Sequence, residues 1–434
     1  MVAIALALTS EESDRLRVDG ALGALVARGY DEERHGNWPF LSDVFARIFR
    51  GVNESDAGVV AAAVQALVKY HRLLGFACGA EDGAPARLAM LLSIARGERT
   101  DLDARLNELT GETERLATSY SMPDWLVDLV RSEVGTVALE LALARMNAAA
   151  PRVARANTLS MTRDELLSAL KDEGLDAAST RHARDGLVIA GRRSPFRTQA
   201  FARGAFEMQD EASQIVAELV APPPRTRVID ACAGAGGKTL ALAALLGGKG
   251  EVIALDASAD KLAELRRRAR RAGATNVRTV ECDLLAPGDR LRGLESSATR
   301  VLVDAPCTGV GAIRRNPEVR WRLRTEEIGR LVEHQRALLA AATKLVVSHG
   351  RLVFATCSFL PSEGLQIAES FLARESEYTR VTAREILGGA RARSLVTGDG
   401  KYLSTWRFDG SDDDGPDGFF AAVLRRSRPT QMQG

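Results

Sequence analysis

The chain has 434 residues, of which 46% are hydrophobic and 26% charged, and its formal net charge is +1. This profile is typical of a globular protein of two or three domains, and it excludes collagen-like, disordered and disulfide-scaffold chains. The near-neutral charge excludes a general polyanion-binding field, so any nucleic-acid surface must be a local basic patch. The five cysteines and five histidines show no metal-ligand spacing, and we therefore expect no metal site.

The first eight residues, MVAIALAL, are apolar but have no basic flank, and acidic Glu11 and Glu12 follow them. This stretch is too short to cross a bilayer and does not fit a secretory signal peptide. The sequence therefore predicts no membrane association and a reducing, cytoplasmic location.

Residues 1–150 are predicted to form an all-helical domain. Apolar residues recur at helical spacing in Val59–Ala77 and again in Trp125–Met146. No catalytic pattern occurs in this region, so its binding partner cannot be identified from the pattern.

Residues 151–205 are predicted to form a small basic α/β subdomain. Its helix Asp164–Lys171 is followed by a run of arginines with Phe196 and Phe201 between them. A charge run is usually only a solvated face, but the interleaved aromatic side chains favour contact with RNA. The arginines are Arg181, Arg184, Arg192, Arg193, Arg197 and Arg203.

Residues 206–430 alternate strand and helix patterns, which predicts a mostly parallel, doubly wound α/β sheet. In such sheets ligands bind at the carboxyl ends of the strands. A long helix is expected over Thr325–Val347. The predicted strands are Arg227–Asp230, Glu251–Leu255, Val277–Glu281, Arg300–Asp304 and Gly350–Thr356.

A glycine-rich turn, Asp230-Ala-Cys-Ala-Gly-Ala-Gly-Gly-Lys-Thr239, follows the first of these strands. A Walker A loop would need glycine where Cys232 stands, and a dinucleotide loop would need glycine where Thr239 stands. S-Adenosylmethionine has no pyrophosphate and requires fewer glycines. Asp256 and Asp283 end the next two strands, where they could accept hydrogen bonds from the ribose and the adenine.

Two cysteines follow the fourth and fifth strands. Cys307 comes after Asp304-Ala-Pro, and Cys357 lies in Thr356-Cys-Ser358. A single cysteine in apolar surroundings is usually a small core residue. Two at neighbouring strand ends instead suit methylation of carbon 5 of cytosine, because a thiolate that adds to carbon 6 makes carbon 5 nucleophilic. Asp304 is placed to act on the ring, where charge accumulates.

At these residues the sequence resembles the bacterial RsmB/Sun (NSUN-type) family of RNA 5-methylcytosine methyltransferases. The matching segments include Gly204–Gln214, Cys232–Lys238, Asp304–Gly309, Ile313–Pro317 with Arg320–Arg322, Thr356–Ser358 and Asp417–Phe420. The resemblance implies a Rossmann-like class I methyltransferase domain and a cytosine target, with 16S ribosomal RNA the expected substrate. It also suggests a NusB-like RNA-binding fold for the N-terminal helices.

The resemblance also implies roles for individual residues. Cys357 would be the covalent nucleophile and Cys307 would help to resolve the adduct. Asp304 would act on the base and lie close to the methionine moiety of the cofactor. The residues expected to bind S-adenosyl-L-methionine are Cys232, Ala233, Gly234, Ala235, Gly236, Gly237, Lys238, Asp256, Asp283 and Asp304.

The sequence departs from the family pattern at three places. Gly234-Ala235 stands where Ala-Pro is usual, Thr308 replaces a serine, and Gly364 stands where an acidic or Asn-containing helix start is common. A tRNA or DNA cytosine-5 methyltransferase and a non-catalytic, RNA-binding ribosome-assembly factor remain open as alternatives. We expect a monomer. The candidate phosphate contacts are Arg314, Arg315, Arg320, Arg322, Arg324 and the run Arg266–Arg271.

Overall fold

The computed structural model of the protein describes residues 9–35, 38–99, 101–191, 193–397, 399–408 and 415–427. The apolar start at residues 1–8 and Arg192 of the basic run lie outside these described residues. The chain divides into two compact units. We call Met1–Ala150 with Ala312–Glu327 the helical unit, and Pro151–Gly311 with Ile328–Gly434 the sheet unit.

The helical unit is built on amphipathic helices whose apolar faces form one core, which includes Val64, Leu67 and Leu91. The helix predicted over Val59–Ala77 is in fact two helices, because Tyr70 leaves the helical conformation between them. The helices before residue 150 are α1 (Ser10–Val18), α2 (Gly20–His35), α3 (Leu41–Ile48), α4 (Glu54–Lys69), α5 (His71–Cys78), α6 (Ala84–Ala95), α7 (Leu102–Asn107), α8 (Glu112–Ser119), α9 (Asp124–Val134) and α10 (Thr136–Asn147).

The sheet unit begins with a small antiparallel sheet in the order β2-β3-β1-β4. Helix α11 starts with a capping box in which Thr162 and Glu165 each bond the other's backbone N–H. The sheet continues three residues past the expected boundary at 205, because β4 pairs with β1. These elements are β1 (Arg152–Ala156), α11 (Arg163–Asp172), β2 (Ala177–Ser179), β3 (Gly186–Ile189), α12 (Gln199–Ala202) and β4 (Phe206–Met208).

A larger, eight-stranded sheet follows. Its elements are α13 (Glu211–Val220), β5 (Arg227–Asp230), α14 (Gly237–Leu245), β6 (Glu251–Asp256), α15 (Ala259–Ala272), β7 (Val277–Glu281) and β8 (Ala298–Asp304); then α16 (Val319–Arg322), which belongs to the helical unit; and α17 (Thr325–Ala342), β9 (Val346–Thr356), α18 (Leu365–Arg374), β10 (Tyr378–Val381), α19 (Ala383–Leu387), α20 (Gly389–Ala392), β11 (Leu403–Ser404) and β12 (Phe420–Arg426).

The strand order is β10-β12-β9-β8-β5-β6-β7, with β11 paired to β12. Strands β5 to β9 are parallel, and β12 joins β9 antiparallel. The doubly wound α/β prediction is therefore confirmed. The chain moves outward from β5 to β7 and then returns to β8 on the other side of β5, so a crevice opens at the carboxyl ends of β5 and β8.

The long helix expected over Thr325–Val347 is wrong at its end. Helix α17 stops at Ala342, and Val346 already pairs with Ala298 of β8. The β-branched Val346 and Val347 fit a pleated strand better than a helix. Among the helices of the described residues, none combines the length and apolar character that a bilayer span requires.

Candidate active site

The glycine-rich turn connects β5 to α14 at the crevice. Gly236 is the N-cap of α14 with φ +89°, and a Cβ there would collide with the Leu265 side chain, so only glycine fits. The Gly234 N–H donates to Asp256 Oδ2 at 2.8 Å. The turn therefore places the amino end of a helix beside the carboxylate that ends β6.

Three strand-end carboxylates have different environments. Asp256 is half-buried, and its other oxygen accepts the Ser258 N–H at 2.9 Å. Asp283 is exposed and accepts only the Leu285 N–H among the bonds that the structure describes for its side chain. Asp230 is buried and accepts the Thr239 hydroxyl at 2.7 Å; burial raises the pKa of Asp230 to about 7. The first two remain accessible to a ligand, whereas the third is part of the core.

Lys238 and Asp304 form a buried ion pair at the crevice, with Nζ and Oδ2 2.6 Å apart. Burial lowers the pKa of Lys238, but attraction to Asp304 and Cys357 outweighs this effect, and the net pKa is raised. The ammonium also lies 5.0 Å from the centre of the Phe419 ring. Lys238 is therefore a fixed positive charge that orients Asp304.

The two candidate catalytic cysteines are brought together. Strands β8 and β9 are neighbours, and Cys307 Sγ lies 3.2 Å from Cys357 Sγ. Both are free thiols and both are partly accessible. The hydrogen bond to Cys357 and burial hold the pKa of Cys307 well above its usual value. Cys307 therefore keeps its proton.

The residues of the loop fit S-adenosylmethionine. A Cβ added at Gly234 would meet no atom within 4 Å, so there is open space beside Asp256. Each oxygen of the Asp256 carboxylate already accepts one N–H and keeps a further lone pair for a hydroxyl. Burial raises the pKa of Cys232, so this thiol stays neutral and leaves the loop without an added negative charge.

Sequence reasoning missed Glu363 and Gln335. Glu363 has no exposed surface and accepts the Thr308 N–H at 2.8 Å and the Thr308 hydroxyl. Gln335 donates to Glu363 Oε1 at 3.0 Å and to the Pro306 carbonyl at 2.9 Å. A signal was available, because Glu363 directly precedes Gly364, where an acidic helix start was expected. A Cβ at Gly364 would lie 2.6 Å from the Phe420 ring, so that position has no room for a side chain.

The prediction that Arg314 and Arg320 contact phosphates is wrong. Arg314 is 4% exposed and Arg320 is fully buried within the helical unit. The Arg320 guanidinium donates to the carbonyls of Lys69, Ser121 and Met146 and to the Asn147 side chain. These acceptors lie at or just beyond the carboxyl ends of α4, α8 and α10, where unpaired carbonyls and helix dipoles attract a cation.

Some of the other arginines predicted to contact phosphates are exposed, and others bind carboxylates within the fold. Arg322 and Arg324 are exposed, and Arg315 is half-buried. In the run Arg266–Arg271, Arg268 and Arg271 both bind the buried carboxylate of Glu207, at 2.9 Å for Arg268, so they are structural. The members of that run that remain exposed are Arg266, Arg267 and Arg270.

The basic run of the small subdomain is largely on the surface. Phe196 is 57% exposed and packs edge-on against Phe201, with ring centres 5.0 Å apart. The exposed arginines of this run are Arg181, Arg184, Arg193, Arg197 and Arg203. An exposed aromatic ring among arginines is suited to stacking on unpaired bases.

Comparison with known proteins identifies two matching regions of the chain. Residues 217–425 match the family model for 16S rRNA methyltransferase RsmB/F, and residues 122–194 match the ferredoxin-like domain of RsmF/B-like methyltransferases. A probable ribosomal RNA small subunit methyltransferase B from Synechocystis sp. is 33% identical over 322 residues, which cover 74% of this chain and 70% of that protein. The Pseudomonas syringae pv. tomato ribosomal RNA small subunit methyltransferase B is 32% identical over 314 residues, which cover 71% of this chain and 68% of that protein.

Solved structures share the fold. The crystal structure of PH0851 superposes with a TM-score of 0.76 at 23% identity and covers 96% of this chain and 100% of that one. The structure of NSun6 from Pyrococcus horikoshii with SFG has a TM-score of 0.60 at 21% identity, and covers 71% of this chain and 99% of that one.

Proposed function

We propose that this chain, which belongs to the RsmB/F family of ribosomal RNA methyltransferases, methylates carbon 5 of a cytosine in 16S ribosomal RNA through a covalent bond to Cys357. It is an S-adenosylmethionine-dependent methyltransferase. The observation that carries the covalent step is the 3.2 Å separation of Cys307 Sγ and Cys357 Sγ at adjacent strand ends. The names of its relatives support the small-subunit substrate.

Cys357 would attack the base. Its thiolate adds to carbon 6 of the cytosine, and the ring electrons then make carbon 5 nucleophilic. The ammonium of Lys238 is a fixed positive charge that interacts electrostatically with Cys357 in the same crevice. S-Adenosylmethionine, when bound along residues 232–238 with Asp256 and Asp283, supplies the methyl group that carbon 5 takes up.

Asp304 would hold the base during this step. Lys238 keeps the Asp304 carboxyl group oriented. Because 28% of the Asp304 side chain remains exposed, one of its oxygens can contact the ring. A polar group fixed at the point where charge develops typically contributes a factor of about 10² to 10³ in rate. Cys307, whose pKa is raised, would serve the release of the product rather than the attack.

RNA would be held by the exposed aromatic and arginine side chains of the small subdomain. The target base must be turned out of its helix to reach the crevice. Arg197, Arg203 and Phe196 are suited to the flanking single strand, with Arg266, Arg267, Arg270, Arg322 and Arg324 as further phosphate contacts. We expect a cytoplasmic monomer that uses no metal, and analytical ultracentrifugation of the purified chain tests the oligomeric state.

Replacing Cys357 by Ala should abolish methyl transfer to 16S RNA and leave S-adenosylmethionine binding intact, because the hydrogen bond that the described residues show for this thiol goes to Cys307 and not to residues 232–238. The measurement is incorporation of labelled methyl groups, with calorimetry for the cofactor. Cys78→Ala, which changes a thiol of the helical unit, is the matched control and should retain turnover. Turnover by the Cys357 variant would contradict the proposal. Methylation of tRNA or DNA instead of 16S RNA by the unaltered protein would reassign the substrate.

A further inference from the structure

Glu363 is a fully buried carboxylate that the mechanism above does not use. It lies in the short turn Pro361–Glu363, six residues after Cys357, and its own carbonyl accepts the Thr356 hydroxyl at 3.2 Å. Burial of a carboxylate is unfavourable unless hydrogen bonds compensate for the lost water. Here the Thr308 N–H, the Thr308 hydroxyl and the Gln335 amide donate to its two oxygens.

These donors surround Cys307. Thr308 follows the cysteine in the chain, and Gln335 also holds the carbonyl of Pro306, which precedes it. Both flanks of Cys307 are therefore fixed to one carboxylate, which is itself part of the turn that follows Cys357. Glu363 thus adds to the pairing of β8 with β9, which brings the two sulfur atoms within 3.2 Å of each other.

We propose that Glu363 is a positioning residue that keeps the Cys307 thiol directed at Cys357 Sγ, so that Cys307 assists the departure of Cys357 from the methylated base. This inference rests on the proposed covalent mechanism and adds to it a residue that positions the Cys307 thiol. Cys307 donates a proton in a hydrogen bond, and Cys357 forms and breaks the bond to carbon.

Release of the methylated base is an elimination in which carbon 5 loses a proton and carbon 6 loses the sulfur. After carbon 5 has been methylated, its proton passes to a solvent water, and the C–H electron pair restores the double bond between carbons 5 and 6. The bond between carbon 6 and Cys357 Sγ breaks, and its electron pair leaves with the sulfur as a thiolate. The S–H of Cys307 donates to that thiolate and stabilises the leaving group. The negative charge of Glu363 contributes, after the hydrogen bond and burial, to the raised pKa that keeps Cys307 protonated.

Glu363→Gln tests this role, because glutamine keeps the size of the side chain but turns an NH₂ group towards one of the three donors. We expect the covalent RNA–protein adduct, seen as a shifted band on a denaturing gel, to accumulate about tenfold over the unaltered protein. Multiple turnover should fall by a similar factor, about tenfold, and more than the single-turnover rate of methyl transfer. Glu281→Gln, an exposed site at the end of β7, is the matched control and should behave like the unaltered protein.

Cys307→Ala is the reference for adduct accumulation. If Cys307→Ala accumulates adduct and Glu363→Gln does not, the inference about Glu363 is overturned and the covalent mechanism stands. If neither variant forms an adduct, the proposed function itself fails. Should Glu363→Gln not fold, Thr308→Val removes only the hydroxyl donor and must then show the accumulation. Its absence there would also overturn the inference.

Discussion

Two neighbouring stretches of the chain use charged side chains in opposite ways. In Asp304–Thr308 the charged residue Asp304 pairs with Lys238 and keeps part of its side chain open to the crevice. In Ala312–Glu327, which begins four residues after Thr308, Arg320 has no exposed surface and binds carbonyls at helix ends of the helical unit. Both stretches carry motifs of the same family. The comparison shows that the surroundings of a charged motif residue decide its role: Asp304 faces an open crevice, whereas Arg320 is enclosed by carbonyls of the helical unit.

The architectural role has a clear physical origin. The last carbonyls of a helix have no partner within the helix and carry partial negative charge. Arg320 and Lys69 both donate to such carbonyls near the end of α10, and burial lowers the pKa of Lys69 to about 7. Trp321 adds a bond from its indole N–H to the Val68 carbonyl, at 2.8 Å. The segment is held as an integral part of the helical unit.

The largest expected effect sharpens the architectural side of the comparison. Arg320→Met leaves four buried acceptors without a donor and should lower the free energy of unfolding by about 4 kcal/mol. Urea titration of the full chain measures it. Arg322→Ala, which removes an exposed guanidinium stacked 3.8 Å from the Phe40 ring centre, should cost less than about 1 kcal/mol. Weaker RNA binding without a loss of stability in the Arg320 variant would restore the phosphate-contact interpretation.

The second effect concerns the crevice. Lys238→Met leaves Asp304 without its orienting partner and should reduce the rate of methyl transfer about 100-fold, with the melting temperature little changed. Single-turnover kinetics at saturating RNA measure the rate. Lys249→Met, at an exposed lysine of the sheet unit, is the control and should be fully active. A loss of stability in the Lys238 variant but not in the Lys249 variant, with the rate of methyl transfer preserved, would show that the pair is only structural.

A smaller effect concerns acid stability of the helical unit. His71 Nδ1 accepts the Tyr30 hydroxyl at 2.6 Å and lies 2.9 Å from Arg87 Nη1. Because both neighbours donate to this nitrogen, a proton on Nδ1 would break these hydrogen bonds. Burial, with the charge of Arg87, lowers the pKa of His71 to about 3. Because the folded state binds fewer protons than the unfolded one, stability is present above the usual pKa of about 6.5 and is lost as pH falls towards 3.

The free energy of unfolding should therefore be lower at about pH 5 than at about pH 7.5, by up to about 2 kcal/mol. Urea titration at the two pH values measures this difference. His71→Phe should reduce this pH dependence, whereas His334→Gln, at an exposed position of α17, should leave it unchanged. The same pH dependence in the His71 variant would contradict the assignment to this residue.

The smallest effect concerns the exposed arginines. Arg197→Ala or Arg203→Ala should each weaken RNA binding a few-fold and reduce the slope of log affinity against log salt by about one. Filter binding at several salt concentrations measures the slope. Arg292→Ala, whose side chain is 82% exposed elsewhere on the sheet unit, should leave the slope unaltered. If no substitution of an exposed arginine in the small subdomain changes this slope, that surface does not bind the RNA.

The strand pattern was sufficient to predict the crevice. Parallel strands end at one edge of a sheet, so Asp304, Cys307 and Cys357 could be placed together from their positions after strands alone. The division at Tyr70 and the short end of α17 depend on packing that a local pattern does not contain. The same holds for Arg320, which binds a carbonyl 251 positions away along the chain. The sequence did not single out Glu363, because its burial is a property of the assembled loops.

The central claim is that Cys357 bonds to the pyrimidine. A 16S RNA fragment containing 5-fluorocytosine should trap the protein when S-adenosylmethionine is present, because carbon 5 then carries no proton to lose and the adduct cannot resolve. Mass spectrometry of the digested adduct should find the nucleotide on the peptide that contains Cys357. A nucleotide on the Cys307 peptide, or methylation without a trapped species, would contradict the account.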